Sequence, residues 1–223
     1  MTNQIQDVVA IDGPAGAGKS TTARYVAKEL HFAFLDTGAM YRAATWRAMR
    51  QNIDLDHTEA VALSTRAMKL ELIDIPEGLT VIVDGVDASE AIRTPEVTRC
   101  IYKVDQNPDV RECLVALQRD YASRRPTVAE GRDMGTVVFP NARWKFYLDA
   151  SLDERTHRRA ADLKAKGYAV DFTQLREDLR ERDEKSMTRA IAPLRRAPDA
   201  VYIDTTSMTP DKVMAAIIGH VKG

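Results

Sequence analysis

The sequence has little of what marks several large protein classes. Its 223 residues carry 32 basic and 33 acidic side chains, a net charge of −1. With no excess of either sign, bulk electrostatic binding to nucleic acid or a membrane surface is disfavoured, and any basic site must be local. Cys100 and Cys113 are the only cysteines. They form no CxxC pair and have no histidine-rich neighbourhood, which argues against a metal site or a secreted disulfide scaffold. They read as small core residues in a reducing compartment. No stretch approaches 18 consecutive apolar residues. The amino terminus, MTNQIQDVVAIDG, lacks a basic segment followed by a long apolar one. A soluble cytoplasmic protein with no membrane segment is expected. Repeats and low-complexity tracts are missing, and the length suits one domain with insertions.

What is present begins at Val8 to Thr22, VVAIDGPAGAGKSTT. The apolar run Val8–Ile11 reads as a buried strand, and Thr21 to Leu30 reads as a helix. Between them Gly13, Gly18, Lys19 and Ser20 meet the spacing Gly-x4-Gly-Lys-Ser/Thr. Strand, glycine loop and helix N-terminus are the context a phosphate-binding loop requires. The glycines let backbone N–H groups curl around an anion, and the helix start adds free donors and partial positive charge. Lys19 supplies a mobile cation for the β- and γ-phosphates. The Ser20 hydroxyl suits Mg²⁺ or a water on it.

Further strands are expected at Phe32–Asp36, Thr127–Glu130, Lys145–Asp149 and Val201–Asp204. All are short and largely apolar or β-branched, as doubly buried parallel strands tend to be, and helical runs separate them. The alternation predicts an α/β fold with a parallel sheet. Ligands of such folds gather beyond the carboxyl ends of the strands, where Asp12-Gly13, Asp36-Thr37 and Glu130-Gly131-Arg132-Asp133 would converge.

Two stretches interrupt the pattern. Thr58 to Val97 holds a helix-like segment, Thr58–Lys69, then a hairpin, Leu70–Ile75 and Leu79–Val83, about a Pro76-Glu77-Gly78 turn. It reads as an insertion. Asp153 to Lys185 is dense in charge of both signs, with Gly167 dividing two helices. Composition leaves two readings open: a solvated helix pair held by i,i+4 ion pairs, or a moving lid.

Candidate functional residues follow the strands. Thr37 is placed to cap the helix that Tyr41 and Arg42 begin, and Arg42 there either clamps a phosphate or lies exposed on a surface helix. In Glu130-Gly131-Arg132-Asp133-Met134-Gly135-Thr136, two glycines bracket Arg132 and Asp133, which are site residues or a structural ion pair. Arg182 and Arg189 are two helical turns apart and would share a face, where they either meet an anion that relieves their repulsion or are paired surface arginines. Arg155, Arg158 and Arg159 form a cationic cluster at the hairpin's other end. Arg111 lies early in a helix expected over Pro108 to Ser123.

Together these motifs resemble bacterial cytidylate kinase. The resemblance rests on Gly13–Thr21, Asp36-Thr37-Gly38-Ala39-Met40-Tyr41-Arg42, Ala192-Pro193-Leu194 and, most specifically, Gly131-Arg132-Asp133-Met134-Gly135-Thr136-Val137-Val138-Phe139-Pro140. It runs from about residue 5 to 215. It implies a P-loop nucleoside-monophosphate kinase, a three-layer α/β core with a five-stranded parallel sheet. The monophosphate-binding insertion would span about 37–106, with its antiparallel β element at 70–90, and the helical lid about 153–186, all within one kinase domain of 1–223. The implied reaction transfers the γ-phosphoryl of ATP to CMP or dCMP with Mg²⁺, in a monomer. Gly13, Pro14, Ala15, Gly16, Ala17, Gly18, Lys19, Ser20 and Thr21 would hold the ATP phosphates, with Ser20 toward the metal and Arg158 and Arg159 in the lid's basic cluster. Thr37, Tyr41, Arg42, Tyr102, Arg111, Arg132, Asp133, Arg182, Ser186 and Arg189 would hold the acceptor, with Asp133 accepting from the cytosine amino group. Lys19, Arg132, Arg182 and Arg189 would be catalytic.

Two positions depart from the family's pattern. Its closing motif usually reads Arg-Asp-x-x-Asp-x-x-Arg, and the second Asp, which helps hold the ribose, is Ser186 here. Tyr102 stands where a small hydroxyl residue is common. Both bear on base and sugar preference, not on phosphate chemistry. The competing readings are a uridylate-, thymidylate- or shikimate-type kinase on the same core, and a non-enzymatic nucleotide switch. The Gly131–Pro140 stretch and the insertion argue against the first; the second lacks an Asn-Lys-x-Asp guanine-reading motif.

Overall fold

Five strands form one sheet in the order β2-β6-β1-β7-β8 in a computed structural model of the protein, which describes residues 6–75 and 78–223. They are β1 (Gln6–Asp12), β2 (Ala33–Asp36), β6 (Thr127–Gly131), β7 (Ala142–Asp149) and β8 (Val201–Asp204). β1 pairs in parallel with β6 and β7, and β7 with β8. The central strand explains its own composition: Val8, Val9, Ala10 and Ile11 are fully buried, covered on both faces. β8 is at the edge, so Tyr202 is exposed and the expectation of double burial fails there. The register sets Asp12 beside Gly131 on one side and Tyr147 on the other. The phosphate loop and the Gly131–Asp133 stretch therefore leave neighbouring strands at the same level.

The chain divides into two compact units, residues 1–35 with 122–223, and residues 36–121. The first unit carries α1 (Lys19–Leu30), α6 (Leu152–Ala165), α7 (Phe172–Thr188) and α8 (Pro210–Lys222), with a π-helical turn at Met134–Val138. α1 begins two residues before the expected Thr21, so Lys19 and Ser20 lie in its first turn. Its N-cap is Gly18, in the left-handed region, and no side chain caps it.

The second unit holds α2 (Thr37–Arg50), α3 (Thr58–Arg66), α4 (Pro95–Asp105), α5 (Pro108–Ser123) and an antiparallel sheet of β3 (Leu70–Ile75), β4 (Gly78–Val83) and β5 (Val86–Asp87). The insertion expected at about 37–106 falls inside this unit. The turn expected at Pro76-Glu77 lies outside the described residues, as do the first five residues of the chain, on which part of the leader reading rested. β5 was not anticipated. It follows Asp84-Gly85, which both take positive φ, 51° and 81°, the residue pair a two-residue hairpin turn needs. Cys100 and Cys113, expected in the core, are only half-buried, on α4 and α5. Among the described residues no helix is long and apolar enough to cross a membrane.

Candidate functional site

The phosphate loop is shaped by contacts that exclude side chains. At Gly13, φ is +148° and an added Cβ would run into the carbonyl oxygen of Leu148 on the adjacent β7. At Gly16, φ is +77° and a Cβ would press on Arg155 at 3.1 Å. The Lys19 ammonium folds back over its own loop and donates to Pro14 O at 2.7 Å. Burial, then the neighbouring Arg132 guanidinium, lowers its pKa from 10.5 to about 7. An anion in the loop would favour the charged ammonium and oppose that shift. The hydroxyl of the next residue, Ser20, donates to Glu130 Oε1 at 2.6 Å.

The loop after β6 is fastened to the phosphate loop twice. Arg132 Nη1 donates to Gly13 O at 2.6 Å. Asp12 Oδ1 accepts from Met134 N at 2.7 Å, and its Oδ2 from Gly135 N at 2.8 Å. Arg132 and Asp133 are thereby fixed at the mouth of the loop. Asp133 is buried, and its Oδ1 takes Arg189 Nη2 at 3.3 Å. Arg189 is not on the helical face shared with Arg182. α7 stops at Thr188, Arg189 turns to extended geometry, and its Nε donates to Ala192 O at 2.7 Å. The helix end is closed by Leu194 N donating to Ser186 O at 2.8 Å, so the chain doubles back and delivers Arg189 to Asp133. Arg182 stays on α7, half-buried. The Ser186 hydroxyl donates to Arg182 O at 2.8 Å, as a serine does inside a helix.

The basic cluster separates into distinct jobs. Arg158 donates to Thr205 O at 2.6 Å and Thr205 Oγ1 at 3.0 Å, and pairs with Glu154. Thr205 in turn reaches Ala17 O at 3.3 Å. Arg159 is half-buried on α6, and Thr21 is exposed on α1.

In the second unit, Asp36, not Thr37, caps α2. Its Oδ1 accepts from Ala39 N at 2.7 Å, because Asp36 still has extended backbone while Thr37 is already helical. Arg42 pairs with the same carboxylate at 3.2 Å, and Arg93 lies 3.8 Å from it. Thr37 and Tyr41 are buried. The Arg111 guanidinium sits 5.6 Å from the centre of the Tyr41 ring, and its Nη1 donates to Asp105 O at 3.3 Å. Arg111 is buried, not a surface charge. Tyr102 is exposed on α4.

Asp183 is a buried charged residue at the loop that the sequence reading did not single out, while Asp12, Glu130 and Arg155, also buried, appeared there only as members of polar or cationic clusters with no role of their own. For Asp12 a signal existed: a carboxylate at the end of the central strand, directly before the loop. Burial raises its pKa from 3.8 to about 7, against the two backbone N–H groups that lower it. In the folded chain Asp12 keeps its proton to higher pH than in the unfolded chain. Between about pH 4 and 7 the folded state thus binds more protons, and stability falls as pH rises, levelling above about 7. Asp12→Asn is expected to flatten that slope and to cost about 1–2 kcal/mol at low pH, since an amide serves one N–H and opposes the other. Urea melts of both proteins at pH 5, 6, 7 and 8 check this; parallel curves would remove Asp12 as the source.

The cytidylate kinase family model matches residues 9–223. Cytidylate kinase of Carboxydothermus hydrogenoformans is 43% identical over 210 residues, covering 94% of this chain and 95% of its own. Cytidylate kinase of Pelotomaculum thermopropionicum is 47% identical over 214 residues, covering 96% and 95%. A solved structure from Thermus thermophilus, 18% identical, superposes over 99% of this chain with a TM-score of 0.50 and speaks for the fold alone. With its phosphate loop and the Gly131–Pro140 stretch inside a match of this extent, the chain belongs to the cytidylate kinase family.

Proposed function

We propose that the protein transfers the γ-phosphoryl group of ATP to CMP and dCMP, as a monomeric cytoplasmic enzyme. Beside the family match, the reading is carried by the fastening of Arg132 to Gly13 O at 2.6 Å, which holds a guanidinium and the adjoining Asp133 at the mouth of the donor loop. Phosphoryl transfer demands in-line positioning and charge neutralisation more than covalent chemistry. Loop N–H groups and Lys19 would hold the donor phosphates. Arg132, Arg182 and Arg189 would neutralise charge on the acceptor and on the group in flight. An oxygen of the acceptor phosphate forms the new bond to the γ-phosphorus, the bond to the β–γ bridging oxygen breaks, and ADP leaves. The attacking oxygen is already anionic, so no general base is required. The assignments of Thr37, Tyr41, Arg42, Tyr102 and Arg111 to the acceptor, and of Arg158 and Arg159 to ATP, rest on the family resemblance.

Ser20 Oγ and Glu130 Oε1, hard oxygen donors 2.6 Å apart at the loop, suit a magnesium ion that retains water ligands. Bound there, the ion would neutralise charge on the phosphoryl oxygens.

A panel of CMP, dCMP, UMP, dTMP and AMP, each with ATP and with ADP release as readout, tests the reading. CMP and dCMP should lead it; preferred turnover of UMP or dTMP would name another kinase, and hydrolysis with no acceptor a nucleotide switch. Because Ser186 offers no carboxylate to the ribose, kcat/KM for CMP and dCMP should agree within about threefold. Asp133→Asn tests base reading. Its amide presents a donor to uracil O4 in place of an acceptor for the cytosine amino group. The CMP:UMP ratio of kcat/KM should fall at least about tenfold. An unchanged ratio removes Asp133 from that role.

A further inference from the structure

Asp183 lies within the charged hairpin of α6 and α7, yet it is buried. Its Oδ1 accepts the N–H of Ala15 at 3.0 Å. Its Oδ2 accepts from Arg155 Nη1. The same Nη1 donates to Ala15 O at 3.0 Å, while Nε donates to Ala150 O at 2.9 Å. Ala15, in the middle of the phosphate loop, is thus held at both its N–H and its C=O by an acid–base pair drawn from two helices. Arg132 Nη1 stands 3.9 Å from Asp183 Oδ1. Several ion pairs within the hairpin differ. Arg176 with Asp153, Arg180 with Glu177 and Glu184, and Lys185 with Glu181 are exposed at both partners.

A carboxylate beside a polyanion site is electrostatically unwelcome unless guanidinium groups offset it, as Arg155 and Arg132 do here. For stability alone an apolar contact would serve as well or better. What the pair adds is directional: it fixes the orientation of the loop backbone at Ala15 relative to α7. Arg182 directly precedes Asp183 on that helix.

We propose that Asp183, bridged to Arg155, is a positioning residue for phosphoryl transfer, a latch that keeps the phosphate loop and the helical hairpin in register so that Arg182 meets the phosphoryl group in flight. The inference rests on the phosphoryl-transfer reading. In the full-length protein, Asp183→Ala should lower kcat about 100-fold while KM for CMP stays within about threefold, a loss expected of misplacement and not of acceptor binding. Asp183→Asn keeps an oxygen for the Ala15 N–H and loses only the charge toward Arg155, so it should recover about tenfold of that loss. Acceptor-free ATP hydrolysis should rise as a fraction of transfer in both, because a hairpin out of register excludes water less well. Circular-dichroism melts establish that each variant is folded. A folded Asp183→Ala variant with kcat within threefold of the parent overturns the proposal; if that variant does not fold, the same limit is applied to Asp183→Asn. The parent's own turnover of CMP tests the underlying reading separately. Should the parent fail there, calorimetric ATP binding decides the latch: a Kd at least tenfold weaker in Asp183→Asn supports it, and a parental Kd overturns it.

Discussion

Lys19→Ala is expected to lower kcat by roughly 10³-fold while leaving the fold intact and the nucleotide-free protein no less stable. The two halves of that expectation have one cause. The ammonium is buried against Pro14 O, and burial and the nearby Arg132 bring its pKa down to about 7. At neutral pH the unfolded chain carries Lys19 charged at no cost, whereas the folded chain must desolvate it. That penalty is fully present below about pH 7 and is relieved as pH rises toward 10.5. Alanine removes the penalty along with the single hydrogen bond. The same substitution removes the only mobile cation on the loop itself, so the charge that builds on the γ-phosphoryl oxygens goes unopposed from that side. Thermal melting with and without ATP and steady-state kinetics read both parts. The melting temperature without nucleotide should hold or rise, and its increase on adding ATP should shrink. Parental kcat in the folded variant would sink the assignment of the loop.

The phosphate loop was legible in the sequence because its chemistry is local. Glycines, a lysine and a serine at fixed spacing, between an apolar strand and a helix, need no distant partner to be understood. The central strand was legible for a similar reason, since burial on both faces leaves a continuous apolar run; β8, at the sheet edge, is apolar and β-branched without that double burial. Errors arose where a choice is made by tertiary contacts. Asp36 and Thr37 are both good caps, and only the extended backbone of Asp36 decides between them. The pairing of Arg182 with Arg189 on one face assumed that α7 continues past Thr188. It ends there because Leu194 returns to cap Ser186, a contact between residues that carry no cap signature of their own.

The buried charges were hardest to see. Asp183 and Arg155 look like their neighbours in a stretch crowded with both signs of charge, and periodicity marks neither as buried. Asp12 reads as one of the polar residues that converge at the carboxyl ends of the strands, with nothing local to mark it as buried. Its role as an acceptor for two N–H groups depends on the parallel register that sets it beside Gly131. In each case the partner lies more than 20 residues away in the chain, and no single-sequence pattern carries that information.

Arg189→Ala tests the most buried of these pairs. The Arg189 side chain is 2% exposed and that of Asp133 5%, with Nη2 and Oδ1 3.3 Å apart. Truncation leaves the Asp133 carboxylate buried without that guanidinium, which costs about 3–5 kcal/mol, a large share of a stability of about 5–15 kcal/mol. At roughly 2–4 °C per kcal/mol for a chain of this size, the melting temperature should fall by about 10 °C. Two further variants separate structure from chemistry. Arg189→Ala combined with Asp133→Ala removes both charges and should recover part of the lost stability, a coupling that a double-mutant cycle measures. It should recover no activity, since neither charge is left to meet the nucleotide. Arg189→Lys keeps the charge but not the planar fork that serves Asp133 and Ala192 O together, so it should fold better than the alanine variant and still turn over CMP slowly. If the double variant regains activity together with stability, Arg189 is structural alone. If stability returns and turnover does not, the guanidinium that neutralises Asp133 in the empty protein is also the one that the acceptor phosphate meets.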